Sequence, residues 1–554
     1  MKLIIKEYLS LLKESKELDS LIPELLLSMG HEVISRAKIG VRQYGVDVAS
    51  VGIEDGIEKV FLFTIKEGNL KRSDWDNTSP QAVRPSLEEI LDVYIPTHLS
   101  KKYNNTTKKI IVATGGDLEQ TVHQNWSGYT KRNSKKDEIE FDFWGGDKLA
   151  LLIEKHIFNE YIIPSNQRSL FRKTLILLGD TDYDLKDYFQ FLDEILFQNK
   201  LHLKSDKEIL KSFRLIYLSL NIILSWSKSE DNLKPALLAS ERTLLNLWGF
   251  IYSNDLSKKK KLIDIISKMY HKNMDILGEY CEKVYPLLKV ENGMSFNSQD
   301  FLQESLILFE QLGIFSLFGT LHYFSFTIQK TEVEYKTSYN IKEMVKTMIT
   351  NHKGLYNPVY DEHIIDISLA LSFLGSWNEI IFIDEWIENL ISHIEFAYLN
   401  QRKYFPIDSN NFEDLVELNL GDAKEIEEYI QTSTLIPILA QWCVHFGLLD
   451  NYKYLQEVSE SIYKNSTLQI WYPDKNLEDF MYQKNASSKS GYSHAPMKIS
   501  KEISKMAKIM EKVYEKHMID LSKLSCSENG IGILLLISSR HFKMPMLPHF
   551  WNDK

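Results

Sequence analysis

Asp47 closes the short element Gly45-Val46-Asp47, and Lys66 ends the apolar run Val60-Phe61-Leu62-Phe63-Thr64-Ile65. An acid at the end of one strand and a lysine in the next can meet at one phosphate. The acid then holds a divalent cation while the lysine positions or activates a water. Side chains alternate along a strand, so Leu62, Thr64 and Lys66 share one face and Phe61, Phe63 and Ile65 the other. This is the outline of metal-dependent phosphodiester hydrolysis, with Asp47, Thr64 and Lys66 as the site residues. A second carboxylate is expected where Thr64 stands, and a neutral hydroxyl is a poor ligand for Mg²⁺. The backbone carbonyl of Ile65 with waters is one substitute. A carboxylate from Glu24, Glu32 or Glu67 is the other, with Glu67 disfavoured because it follows Lys66 directly and points to the opposite face.

The elements that must position these residues follow from pattern. A helix is predicted from Asp19 or Ser20 through Leu27, with Pro23 in its first turn and Gly30 ending it. Strands are predicted over Val33 to Ile39, Gly45 to Val51 and Lys59 to Lys66, with Glu54-Asp55-Gly56 as a turn. A helix opens at Pro85-Ser86. A buried strand covers Lys109 to Thr114, a short helix starts near Asp117 or Thr121, and a last strand covers Ile139 to Phe143. Gly146-Asp147 caps a helix from Lys148 to His156. Strands interleaved with helices imply an α/β domain with a mixed sheet covered on both faces.

Leu25-Leu26-Leu27-Ser28-Met29-Gly30-His31-Glu32-Val33, Tyr44-Gly45-Val46-Asp47-Val48 and Phe63-Thr64-Ile65-Lys66 together resemble the Mrr-type branch of the PD-(D/E)XK, restriction-endonuclease-like superfamily. Phe141-Asp142-Phe143-Trp144 followed by Gly145-Gly146-Asp147-Lys148 is similar to the strand-then-helix closing of such domains. The resemblance covers roughly residues 15–160. It implies Asp47 as the metal-binding acid, Lys66 as the lysine, and Thr64 in the slot of the second carboxylate or its amide substitute. The first helix often supplies an acid in this superfamily, which makes Glu24 the favoured second metal ligand and Mg²⁺ or Mn²⁺ the expected cofactor.

Past about Pro164 the pattern changes. Apolar residues recur at i, i+3, i+4 and i+7 in Leu185–Phe197, Ile209–Trp226, Leu237–Trp248, Leu262–Val284, Phe301–Phe315, Ile364–Trp377, Ile380–Ala397, Ala423–Phe446, Leu455–Tyr463 and Ile499–Leu521. Strand signal is nearly absent, apart from a short stretch near Tyr323 to Ile328. The expected organisation is therefore a nuclease-like α/β domain over 1–163 and an all-α sensor or interaction region over 164–554, with long loops at Ile470 to Pro496 and from His541 to Lys554.

Composition bounds the setting. At 554 residues the chain exceeds what one core supports. No uninterrupted apolar run reaches the roughly 18 residues of a membrane span, and the N-terminal apolar stretch is too short for a secretory signal. Cys281, Cys443 and Cys526 lie far apart and suggest neither a disulfide framework nor a zinc site, so a cytoplasmic location is expected. The net charge of −11 divides into −3 over residues 1–160 (22 basic against 25 acidic) and −8 beyond (43 against 51). Any nucleic-acid surface must then be local. Lys71, Arg72, Trp75 and Arg84 are expected to contact a phosphate backbone and stack on a base, with Trp75 equally suited to anchor a core. The cluster Lys131-Arg132-Asn133-Ser134-Lys135-Lys136 and the pair Gly115-Gly116 are weaker candidates for anions.

These readings converge on a nucleic-acid hydrolase, DNA favoured over RNA, joined to a helical region that meets a protein partner or a second copy, as in bacterial restriction and anti-phage effectors. Hydrolysis would leave 3′-OH and 5′-phosphate ends. The competing expectation is a catalytically degenerate nuclease fold kept as a binding or scaffolding module. A third expectation places function in the helical part, in an apolar cleft beside the Ile470 to Pro496 loop.

Overall fold

The computed structural model describes residues 2–36, 43–76, 82–157, 165–180, 183–198, 200–297, 300–400, 403–420, 426–473, 477–482, 492–517 and 520–544. The chain forms two compact units, Met1–Ala236 and Leu237–Lys554.

The first unit opens with helix α1 (Lys2–Leu11), a π-helical turn (Glu14–Leu18) and α2 (Asp19–Met29). Gly30, at φ +95°, ends α2 in the left-handed conformation that glycine adopts without strain. Strands β1 (Glu32–Ser35), β2 (Val48–Glu54) and β3 (Ile57–Lys66) form an antiparallel meander. The β2–β3 loop is Asp55-Gly56, both at positive φ, the backbone that matches the right-handed twist of a two-residue hairpin. Next come α3 (Arg72–Trp75), α4 (Val83–Glu89) running into a π-helical segment (Ile90–His98), β4 (Thr107–Thr114), α5 (Gln120–Asn133), β5 (Ile139–Trp144) and α6 (Gly146–His156). The sheet order is β1-β2-β3-β4-β5, with β3, β4 and β5 parallel. The mixed α/β sheet expected from the alternation is present. One face carries Val60, Leu62, Ile110 and Val112 against Trp75, Leu87, Ile90 and Val122 in one apolar core.

Two boundaries differ from the sequence expectation. β2 starts at Val48 rather than Gly45, because Tyr44 and Gly45 both take positive φ and turn the chain ahead of the strand. An added Cβ at Gly45 would lie 2.1 Å from the Ser86 carbonyl oxygen, so only glycine fits there. The unit holding the sheet also runs to Ala236, past the expected end at 163. Helices α7 (Ser165–Leu177), α8 (Lys186–Asp193) and α9 (Asp206–Ser229) belong to it, with α9 packed on α1. Residues 158–164, around the expected boundary, and 37–42, in the expected first strand, lie outside the described residues.

The second unit is built from α10 (Lys234–Ser253, starting just before the boundary), α11 (Lys260–Leu288), α12 (Phe301–Gln329), α13 (Glu332–Asn351), α14 (Ile364–Ser376), α15 (Ile380–Leu399), α16 (Phe412–Leu420), α17 (Leu435–Phe446) and α18 (Leu449–Ser461). They are followed by α19 (Leu477–Phe480), α20 (Ile503–His517), α21 (Ser525–Glu528) and α22 (Leu534–Phe542). The strand expected near Tyr323 to Ile328 lies inside α12, where aromatic residues continue the helical stripe. Of the helix expected from Ala423, residues 423–425 lie outside the described residues, Ile426–Glu428 forms a 3₁₀ turn, and the α-helix runs from Leu435. The region is not wholly α: β6 (Thr432–Ser433), β7 (Thr467–Pro473) and β8 (Tyr492–Pro496) make a small sheet. β7 and β8 occupy the two ends of the expected Ile470 to Pro496 loop, of which 474–476 and 483–491 lie outside the described residues, as do 545–554 of the expected tail.

Among the described residues, two helices, α9 and α12, are long and apolar enough to cross a membrane. In each, 67% of the apolar window is buried inside the protein, as in core helices. The three cysteines are buried free thiols.

Candidate functional site

Asp47 is locked where β2 and β3 meet. Its backbone N–H donates to the Phe63 carbonyl at 2.8 Å, and its Oδ2 accepts the Ile65 N–H at 2.7 Å. The carboxylate thus replaces one rung of the ladder and is held at the end of β3, where Lys66 projects. Burial raises the Asp47 pKa above the usual carboxylate range. The Ile65 N–H and Lys66 pull it down, and Asp19 adds to the rise.

Lys66 meets an acid that the sequence patterns did not single out. Its Nζ lies 3.5 Å from Glu14 Oε1, and its side chain is only 12% exposed. Glu14 sits on the π-helical turn between α1 and α2, which packs on β3. The Leu18 N–H reaches the Lys13 carbonyl at 3.1 Å, and Glu17 Oε2 caps the Lys13 N–H at 2.7 Å. Such wide turns re-aim side chains and recur at functional sites. Burial raises the Glu14 pKa first; Lys66 opposes it, and the like charges of Asp47 and Glu67 add to it. Glu14, Asp47 and Lys66 therefore share one electrostatic site. The polar run Lys13-Glu14-Ser15-Lys16-Glu17 between two apolar helices was the one signal for it, and that run reads equally as a solvated linker.

The other expected site residues divide. Glu24 does not join this site through any described contact: it is buried in ion pairs with Arg214 of α9 (3.2 Å) and Arg36 (3.6 Å). A carboxylate held by two guanidiniums supports packing, and the described contacts of Glu24 lead to Arg214 and Arg36, whereas Glu14 is the acid beside Lys66. Thr64 is 1% exposed, beside Val112 in the parallel ladder, and offers a buried hydroxyl rather than an accessible ligand. Trp75 is 3% exposed and meets Trp126 and Tyr129 edge-on at 6.2 and 5.8 Å, so it anchors the core and offers no face to a base. Arg84 is partnered by Glu88 (3.0 Å) and Asp76 (3.3 Å). Lys71 and Arg72 are exposed at the start of α3. Glu32 is exposed on β1. Gly115 lies against α1, where an added Cβ would fall 1.8 Å from the Leu9 carbonyl oxygen. Glycine there lets α1 press onto the sheet.

Magnesium is commonly held by one or two carboxylates, with waters and substrate phosphates completing its shell. Asp47 and Glu14 suit that mode, since a cation offsets the burial, and the smaller repulsion from Asp47, that lift Glu14. They do not suit an all-protein cage. Among the described residues, no group of three or more His, Cys, Asp or Glu side chains is arranged to hold a metal ion.

The chain matches no protein-family model, no curated protein and no solved structure.

Proposed function

We propose that the first unit hydrolyses phosphodiester bonds of nucleic acid at Glu14, Asp47 and Lys66, in the manner of a PD-(D/E)XK nuclease. The supporting observation is the convergence of two carboxylates with raised pKa values on one lysine at the end of β3. Perturbed acids gathered with a cation mark sites where charge is handled during a reaction. Asp47 and Glu14 would hold Mg²⁺ or Mn²⁺, which supplies Lewis-acid polarisation of the phosphate and a more acidic water. The Ile65 N–H keeps Asp47 pointed at the strand end. Lys66 exchanges Glu14 for the incoming phosphate, orients the attacking water and offsets the charge that develops on phosphorus. Lys71 and Arg72, one short turn beyond Lys66, are placed to take flanking phosphates.

A second reading, a degenerate nuclease fold used for binding, draws on Thr64, a buried neutral side chain in the slot of the second carboxylate. Cleavage of plasmid DNA and of RNA in Mg²⁺ or Mn²⁺ separates the two. Under the catalytic reading, Asp47→Ala and Lys66→Ala each lower the rate by about 10²-fold or more with the fold retained. Wild type that stays inert with either metal, with and without cell extract as a source of trigger, rejects catalysis and leaves the binding module.

A further inference from the structure

The second unit holds a cavity of about 580 Å³ between the end of α18, the start of β7 and residues 497–499. That volume is in the range of small-molecule sites, roughly 300–1,000 Å³. Its walls are not the wholly apolar cleft expected beside this loop. Leu468, Met497 and Ile499 line it together with Tyr463 and the lysines Lys464 and Lys498. The wall is fixed in place: the Met497 N–H donates to the Leu468 carbonyl at 2.9 Å, and the Tyr452 hydroxyl donates to the Ser500 carbonyl at 2.6 Å. Tyr463 is 3% exposed and backs the wall, while Leu468, Met497 and Ile499 beside the two ammonium groups suit a nucleotide, its base against the apolar side chains and its phosphate near lysine.

The cavity continues into a lysine stripe. Glu460, also in its lining, pairs with Lys501 at 3.7 Å, and α20 starts two residues later. Lys505, Lys508, Lys512 and Lys516 follow at i, i+3, i+7 and i+11, on the face opposite the buried Met506 and Met510. Lys505 is paired with Glu502 at 2.8 Å, whereas Lys508, Lys512 and Lys516 are exposed with no ion-pair partner among the described residues. Residues 498–516 carry six lysines against three glutamates, +3 in a chain of −11. At 1.5 Å per residue the stripe sets a positive charge every ~4–6 Å over three turns, of the same order as the charge spacing along a phosphate backbone.

We infer that this surface binds single-stranded nucleic acid, with one nucleotide in the cavity and the adjoining phosphates along Lys501 to Lys516. A single strand is required because a stacked, paired base cannot enter a cavity. The surface is independent of catalysis at Glu14, Asp47 and Lys66.

The test is fluorescence anisotropy of labelled oligo(dT) and oligo(U) with the full chain in EDTA, so that binding is read with metal-dependent cleavage off. Failure here and failure of the cleavage assay are then separate results. Wild type binds with a log–log salt slope near −0.7 per phosphate contacted. Lys508→Glu/Lys512→Glu/Lys516→Glu, all on an exposed face, keeps the thermal melt, weakens binding by about tenfold or more and flattens the slope by about 2. Lys464→Glu/Lys498→Glu weakens the same probe and abolishes competition by thymidine monophosphate. Wild type that does not bind, or a triple variant that binds as wild type does, overturns the inference. An oligonucleotide held no more tightly than the mononucleotide identifies a free nucleotide as the ligand of the cavity and overturns the strand.

Discussion

The fully buried Glu241 of the second unit and the partly exposed pair Glu14 and Asp47 of the first have opposite electrostatics. In the second unit, Glu241 of α10 is 0% exposed and accepts Arg540 Nε at 2.9 Å, a second Arg540 N–H, and His541 Nδ1 at 3.0 Å. Arg242 Nε donates to His541 Nε2 at 3.0 Å. Burial by itself lifts the Glu241 pKa, yet Arg540 and His541 overcome it and hold the carboxyl below its ordinary value. In the first unit, burial wins over Lys66 at both Glu14 and Asp47, and both stay above theirs. A saturated network stabilises its fold, because the charged form is the favoured one. For two acids beside one lysine whose charged forms are disfavoured, a further cation favours the ionised state. Glu24, ten residues from Glu14, is instead held in ion pairs with Arg214 and Arg36.

The widest gap is expected in the buried networks. Arg540→Ala leaves Glu241 uncompensated and should cost about 3–5 kcal/mol in the unfolding of the second unit, with cleavage in the first unit unchanged at temperatures where both are folded. Glu24→Ala, which strands Arg214, should cost a similar amount in the first unit. Urea unfolding followed with probes in each unit checks both. A Glu24→Ala variant as stable as wild type would remove the distinction drawn between the two acids.

Glu14→Gln should do the reverse, lowering cleavage by about 10²-fold while stability changes by less than about 1 kcal/mol. Smaller again is the pH signature. A carboxyl whose folded pKa is raised adds stability only below its unfolded pKa, and that contribution is lost as pH rises through the folded value. At neutral pH Asp47→Asn keeps an acceptor for the Ile65 N–H and removes the disfavoured charge. It should gain about 1 kcal/mol, a difference that vanishes below about pH 4. Glu241→Gln should lose stability at neutral pH, and the loss should shrink as pH falls through the lowered pKa of Glu241. Thermal melts of both variants from neutral to acid pH test the opposite signs. The smallest effect is Arg84→Ala, within about 0.5 kcal/mol, because its ion pairs are solvent-exposed.

Local chemistry was legible in the sequence. The end of α2 at Gly30, the Asp55-Gly56 hairpin and the apolar strands β3 and β4 depend on neighbours a few residues away, and their residue types announce them. So does the placement of Asp47 before one strand and Lys66 at the end of the next. What the tertiary structure decided are pairings across long stretches of chain. Glu14 and Glu24 are both acids near an apolar helix, and only packing of the π-helical turn on β3 brings one to Lys66 while α9 brings Arg214 to the other. Trp75 and Arg84 look like groove residues until Trp126, Tyr129, Glu88 and Asp76 arrive around them. The extent of the first unit and the sheet β6-β7-β8 were hidden for the same reason. A side chain's solvation, and with it the state of its charge, is set by what the fold packs against it, and residue type records only what the side chain is able to do.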